Sequence, residues 1–352
     1  MQKTDGVARS TRQASFPGLQ WAVVAGFVIL AFGAPYFIYP VFLMKVLCFA
    51  LFACAYNLLF GYTGLLGFGH AAFFGAASYV AAYTAKFWNV TPEVAIVLGT
   101  AVAGLFGLVF GWLAIRRQGL YFAMITLALA QIVYFYALQS PWTHGEDGIQ
   151  SVPRGHAFGL IDVSGTISMY FFVLAVFAIG FGILYRAIHS PFGRALKAIR
   201  ENEPRAVSLG YDTDRFKLLA FTLSAALSGL AGGTKAIVLQ VASLADLHYG
   251  MSGDVLLMVL IGGIGTVMGP IAGAVVLVAM QEYLAPLGSW VTIIQGSVFV
   301  ACVLSFRKGL VGTLGNSFAR LRRHRRFSSR RPALAAQRPA GGGTDSKPGA
   351  LS

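Results

Sequence analysis

The chain has 352 residues, of which 57% are hydrophobic and only 11% charged, and its mean hydropathy is +0.69. An ordinary soluble domain carries roughly 25% charged residues, so this composition excludes a water-soluble globular fold. The net charge of +14 would point to nucleic acid in a soluble protein; here the basic residues stand between apolar runs, and they are read as topology signals with no nucleic-acid partner implied.

Residues 1–18 hold Lys3, Arg9 and Arg12 ahead of an apolar stretch, Leu19–Ile38, that is uncharged for 20 residues. That stretch exceeds the apolar core of a signal peptide, and an uncleaved first helix over 19–34 is expected. Further uncharged runs follow at Val94–Ile115, Ile167–Tyr185 and Val255–Gln281, of 22, 19 and 27 residues. A spanning helix needs about 20 residues to cross about 30 Å of hydrocarbon. The pattern predicts an all-α, polytopic membrane protein with segments near 19–34, 41–59, 71–86, 92–114, 120–138, 167–188, 218–236, 253–264, 270–285 and 290–306. The third, eighth and ninth are short enough to be broken or re-entrant, so eight to ten spans are expected. Cys48, Cys54 and Cys302 fall inside apolar runs without metal-ligand spacing and read as small buried hydrophobes.

Two segments interrupt this apolar sequence with glycine. Asn57 to Gly75 contains Gly61, Tyr62, Gly64, Gly67, Gly69 and His70; Ile261 to Pro270 contains Gly262, Gly263 and Gly265. Freed backbone groups are tolerated at membrane depth only against protein or a water-filled cavity. These glycines therefore either line a translocation path or allow close helix packing, and one break in each half hints at an internal repeat. His70 could cap a half-helix, meet substrate or serve as a hydrogen-bonded structural group. Pro270 should end or kink a helix. Lys45, Lys235 and Glu282 lie near helix ends, where long side chains snorkel to the interface.

Residues 186–217 form a loop with seven Lys or Arg. Ala195, Leu196, Ile199, Ala206 and Leu209 recur at helical spacing between charges, which predicts an amphipathic helix or helix pair suited to docking. After Phe306 the chain turns basic, then rich in Pro, Ala, Gly and Ser; the region 307–352 should be largely disordered, with its arginines on anionic membrane lipid. With the N-terminus inside, segments 1–18, 115–119, 186–217 and 305–352 hold 3, 2, 7 and 11 of the 27 basic residues, leaving only Lys45, Lys86, Arg154 and Lys235 elsewhere. The positive-inside rule then puts both termini and the 186–217 loop in the cytoplasm, and 139–166 outside. No Gly-Lys pair, H-E-x-x-H or CxxC occurs in the sequence. An enzyme is not expected, and any ATP must be bound by another chain.

Ala206-x-x-x-Gly210 stands where importer permeases of the ATP-binding-cassette (ABC) class carry the EAA loop, a cytoplasmic helix that enters a groove of the ATPase. Its context, Arg194 through Glu203 to Tyr211 and then Phe216–Phe221, resembles the LivM-type permease of branched-chain amino acid importers. So do Gly61–Leu66, Gly69–Gly75, Gly262–Gly265 and Arg307–Gly312. Pro204 and Arg205 depart from the EAA pattern. The resemblance covers about residues 40–315 and implies a permease domain over 19–306 in the bacterial inner membrane. It also implies a second, LivH-type permease, two ATPases of LivG and LivF type, and a periplasmic amino-acid-binding protein. Arg200, Glu203, Ala206 and Gly210 would be the coupling-loop residues, and no cofactor would be held by this chain. A secondary transporter, which would show ionisable groups at mid-membrane, and an ABC permease for urea, amides or other amino acids are the competing readings.

Overall fold

The computed structural model describes residues 33–305, apart from 118, 158–160, 163–164 and 289. The expected first helix, the N-terminal segment, the basic tail and the surroundings of Cys302 lie outside the described residues. Within them eleven α-helices carry the fold. They are α1 (Pro40–Asn57), α2 (His70–Phe87), α3 (Pro92–Ala114), α4 (Leu120–Gln139), α5 (Thr166–His189), α6 (Pro191–Glu201), α7 (Glu203–Ser208), α8 (Thr213–Leu239), α9 (Tyr249–Gly262), α10 (Gly269–Tyr283) and α11 (Trp290–Ser305). Proline stands in the first turn of α1, α3, α6, α7 and α10, where its missing N–H costs nothing and its fixed φ suits the helix. Pro270 therefore opens α10; it neither kinks nor ends a helix.

Among the described residues, five segments are long and apolar enough to cross a membrane: Pro40–Thr63, α3, α4, α5 and α8. The remaining apolar helices are shorter, as the breaks suggested. α8 is the hub. It packs most extensively against α3 and α2, and also against α1. Lipid offers no hydrophobic drive to bring helices together, so close approach depends on small residues. A Cβ on Gly232 of α8 would overlap the Phe74 carbonyl of α2, and one on Gly107 of α3 would overlap the Ala225 side chain of α8. α1 packs against α8, α5 and α10, and an almost unbroken run of its side chains from Met44 to Asn57 is buried.

At the end of the bundle remote from α6 and α7, three strands form in the expected outer loop: β1 (Ile149–Gln150), β2 (His156–Ala157) and β3 (Ile161–Asp162). β1 pairs antiparallel with β4 (Val241–Ala242), Ile149 opposite Ala242, and β2 pairs with β3. The four basic residues outside the expected cytoplasmic segments are all engaged. Lys86 donates to the Gln150 carbonyl at 2.7 Å, and Arg154 donates to that of Val238 at 3.0 Å. Lys45 pairs with Glu282 at 2.9 Å in a half-exposed position, compatible with the interfacial setting expected for both. Lys235 does not snorkel. It is buried and paired with Asp246 at 2.7 Å, and Asp246 also accepts from Ser78 at 3.3 Å. An acidic partner in the following turn, invisible to a reading of Lys235 alone, keeps the ammonium inside.

Candidate functional site at the glycine breaks

The first break begins inside a span. After Asn57 the α-helix widens into a π-helical turn, Leu58–Thr63, which Gly64 ends in the left-handed conformation at φ +78°. The chain then runs without regular structure to α2. Phe68 N–H donates to Thr126 Oγ of α4 at 3.1 Å, satisfying one freed donor. The second break lies between α9 and α10, where Gly263 and Gly265 have φ of +117° and +74°. Thr266 closes it locally, donating to the Gly263 carbonyl at 2.8 Å and accepting from Gly269 N–H at 3.1 Å.

The two breaks meet. Asn57, 1% exposed, donates through Nδ2 to the Thr266 carbonyl at 2.8 Å and accepts through Oδ1 from Gly265 N–H at 2.9 Å. A Cβ on Gly61 would lie 2.8 Å from the Gly265 nitrogen, so only glycine allows this approach. From the opposite side Arg200 of α6 sends Nη1 to the Gly61 carbonyl. Arg200 also passes so close that a Cβ on Gly64 would stand 3.2 Å from its Cγ, and one on Gly265 would stand 3.3 Å from its Nη1. Lys197, one turn earlier, lies over the ring of buried Tyr62 at 5.1 Å.

The expected helix pair is α6 and α7. Asn202 separates them and caps α7 by accepting from Arg205 N–H at 3.1 Å. Glu203 is ion-paired with Lys217 of α8, a side chain only 3% exposed. A polar cavity of about 440 Å³ opens here, bordered by Thr63, Gly64, Gly119, Arg200, Asn202 and Lys217. Ala206 does not face outward as a docking residue would. It is 2% exposed, packed within this chain, and its carbonyl accepts from Tyr211 N–H at 3.1 Å. The outward face instead presents Val207, Leu209 and Tyr211, exposed at 54%, 69% and 42%, beside Gly210, which has φ +86° and open space around it.

Of the residues expected at a path, the structure brings Gly61, Gly64 and Gly265 together around Arg200, with Tyr62 alongside. Gly262 abuts Gly269, where a Cβ would overlap the carbonyl. Gly69 is pressed against α4, 2.9 Å separating its Cβ site from the Thr126 carbonyl. His70 is fully buried at the start of α2, with Nε2 2.9 Å from Ser224 Oγ. The Ser224 proton is committed to the Ala55 carbonyl at 2.6 Å, so Nε2 must be the protonated nitrogen. His70 Nδ1 and the neighbouring Tyr56 hydroxyl have no partner among the described residues. Asn57 is the residue that sequence reasoning passed over. A lone polar amide at the C-terminal end of an apolar helix, four residues before a glycine, was the available signal.

Spans interrupted at membrane depth and tied to a pair of surface helices are features found in transport proteins. The model of the family "Branched-chain amino acid transport system / permease component" matches residues 38–303, and the chain belongs to that family. It is 29% identical over 283 residues to the high-affinity branched-chain amino acid transport system permease protein LivM of Salmonella typhimurium, and 28% identical over 284 residues to that of Escherichia coli. Each match covers 72% of this chain and 65% of the relative, so the chain spans just under two thirds of their length. It is also 27% identical over 194 residues to a probable LivH permease of Methanocaldococcus jannaschii, covering 52% of this chain and 60% of that one. No solved structure matches.

Proposed function

We propose that this chain is a membrane-spanning permease subunit of an ABC importer that moves leucine, isoleucine and valine inward across the bacterial inner membrane. The family match over residues 38–303 carries the reading. In this reading a LivH-type permease stands beside it, LivG- and LivF-type ATPases bind beneath, and a periplasmic binding protein delivers the amino acid. The exposed apolar face Val207, Leu209 and Tyr211 on a basic loop is suited to an ATPase groove, since contiguous exposed apolar residues mark docking surfaces. Both termini face the cytoplasm. The chain contributes a conformational gate and no covalent chemistry, in keeping with the absence of a phosphate-loop motif from its sequence. Reconstituted vesicles holding both permeases, both ATPases and the binding protein should take up radiolabelled leucine only with internal ATP. Uptake by this chain alone, driven by a proton or sodium gradient, would replace the reading with a secondary transporter. Strong displacement of leucine by urea or amides would change the cargo.

A further inference from the structure

We infer that Arg200 is a mechanical tie. It joins the coupling helices to both glycine breaks at once, and Asn57 carries the connection from the first break to the second. The inference rests on the importer reading and adds to it a named route from loop to gate.

Three observations converge on one side chain. Arg200 leaves α6, which packs on the π-helical turn, and its guanidinium ends on the Gly61 carbonyl inside that turn. Its path skirts Gly64 and Gly265, where a Cβ would stand 3.2 Å and 3.3 Å from the arginine. Both glycines have positive φ, +78° and +74°, which other residues rarely adopt. Two glycines from distant stretches of sequence thus clear space around one arginine, and a third, Gly61, supplies the carbonyl on which it ends. Asn57 then uses both ends of its amide on the second break, at Thr266 and Gly265.

A lysine–glutamate pair or an apolar contact could hold a loop to a membrane domain, and Lys217–Glu203 does so nearby. Arg200 differs because its acceptor is the backbone of the interrupted span itself. The π-turn and the Gly263–Gly265 bend are weak stretches of the two segments they interrupt, since glycine and non-α geometry forgo helix stability. A displacement of α6 is therefore delivered to the two places where the backbone can yield. The charge-assisted hydrogen bond supplies stiffness that a neutral one lacks.

The test uses the complete importer, with partner permease, ATPases and binding protein, in proteoliposomes, scoring leucine uptake and ATP hydrolysis in the same vesicles. Arg200→Ala is expected to lower the ratio of leucine taken up to ATP hydrolysed by about tenfold, the scale of one lost charged hydrogen bond. Arg200→Lys keeps a donor and should recover most of the ratio. Asn57→Ala and Gly64→Ala should lower it as well, and Asn57→Ala should add little to Arg200→Ala if both act on one route. A merely structural Arg200 would reduce uptake and hydrolysis in parallel and leave the ratio at the parental value, which overturns the inference. A parental ratio in Arg200→Ala with full uptake also overturns it. If the parent complex itself shows no ATP-dependent leucine uptake, the importer reading fails and the tie fails with it.

Discussion

Lys235 and Asp246 set two charges inside the bundle near the end that carries the strands, both nearly excluded from solvent. A buried pair contributes little beyond what an apolar pair would, but removing one partner strands the other at a cost of about 3–5 kcal/mol. Asp246→Asn is therefore expected to destabilise the protein by that amount, read as a lowered thermal midpoint in detergent. The double change Lys235→Met with Asp246→Leu should return most of the loss. A midpoint unchanged in Asp246→Asn would show that water reaches the ammonium. Ser224 presents a milder case. Its hydroxyl accepts from His70 while donating to the Ala55 carbonyl, so Ser224→Ala leaves a buried imidazole N–H unpaired. The expected cost is about 1–3 kcal/mol, again by thermal unfolding, with leucine uptake retained at permissive temperature because His70 is enclosed by protein. Uptake lost without any fall in stability would return His70 to the cargo's path. At this scale the sequence is legible only in part. That Gly61, Gly64 and Gly265 break their helices follows from residue type, whereas their common neighbour, Arg200, is separated from Gly61 by 139 positions. Such a pairing has no periodicity to betray it.

Among the elements, α6 and α7 were readable because their apolar residues recur at helical spacing and Ser190, Asn202 and Pro204 punctuate them. Which face would point outward was not readable. Ala206 and Gly210 are one turn apart and both small, yet Ala206 is turned inward and capped by the chain that follows it. Ala206→Trp should accordingly disrupt the permease itself, lowering the yield of folded protein, because overpacking a filled site costs about 1–3 kcal/mol. Leu209→Asp alters the exposed face and should leave folding intact, surface changes being worth within about 0.5 kcal/mol. It should nonetheless weaken co-purification of the ATPases severalfold. Full ATPase recovery with Leu209→Asp would move the docking surface off the Val207–Tyr211 face. Similarly, the strands of the expected outer loop escaped the sequence reading because two-residue strands carry no alternation to detect; the pairing of β1 to β4 depends on a segment almost a hundred residues later.

For the whole molecule, the segregation of basic residues gives a direct test of orientation. Ser151 and Ser208 are both exposed, at opposite ends of the bundle. Single cysteines placed there, in a background with the native cysteines replaced, should be labelled by an impermeant maleimide from outside cells at 151 and only after permeabilisation at 208. The reverse would invert the topology. The segments able to span differ sharply in their surroundings. In Pro40–Thr63, 78% of the most apolar stretch is buried in protein, against 28% in α4. Hydropathy alone cannot tell these apart, since both read as suitable for lipid. The difference has a consequence for biogenesis. α1 is among the earliest of the described helices to leave the ribosome, yet its neighbours α5, α8 and α10 are all encoded later. Translation at about 5–20 residues per second leaves a delay of roughly 10–45 s before α10 is complete. Through that interval the Asn57 amide must wait in the bilayer, or in the insertion machinery, without the Thr266 and Gly265 groups it will finally hold. A nascent chain arrested before residue 260 should therefore keep α1 in contact with the insertase or a membrane chaperone, and release it only when the second glycine break arrives.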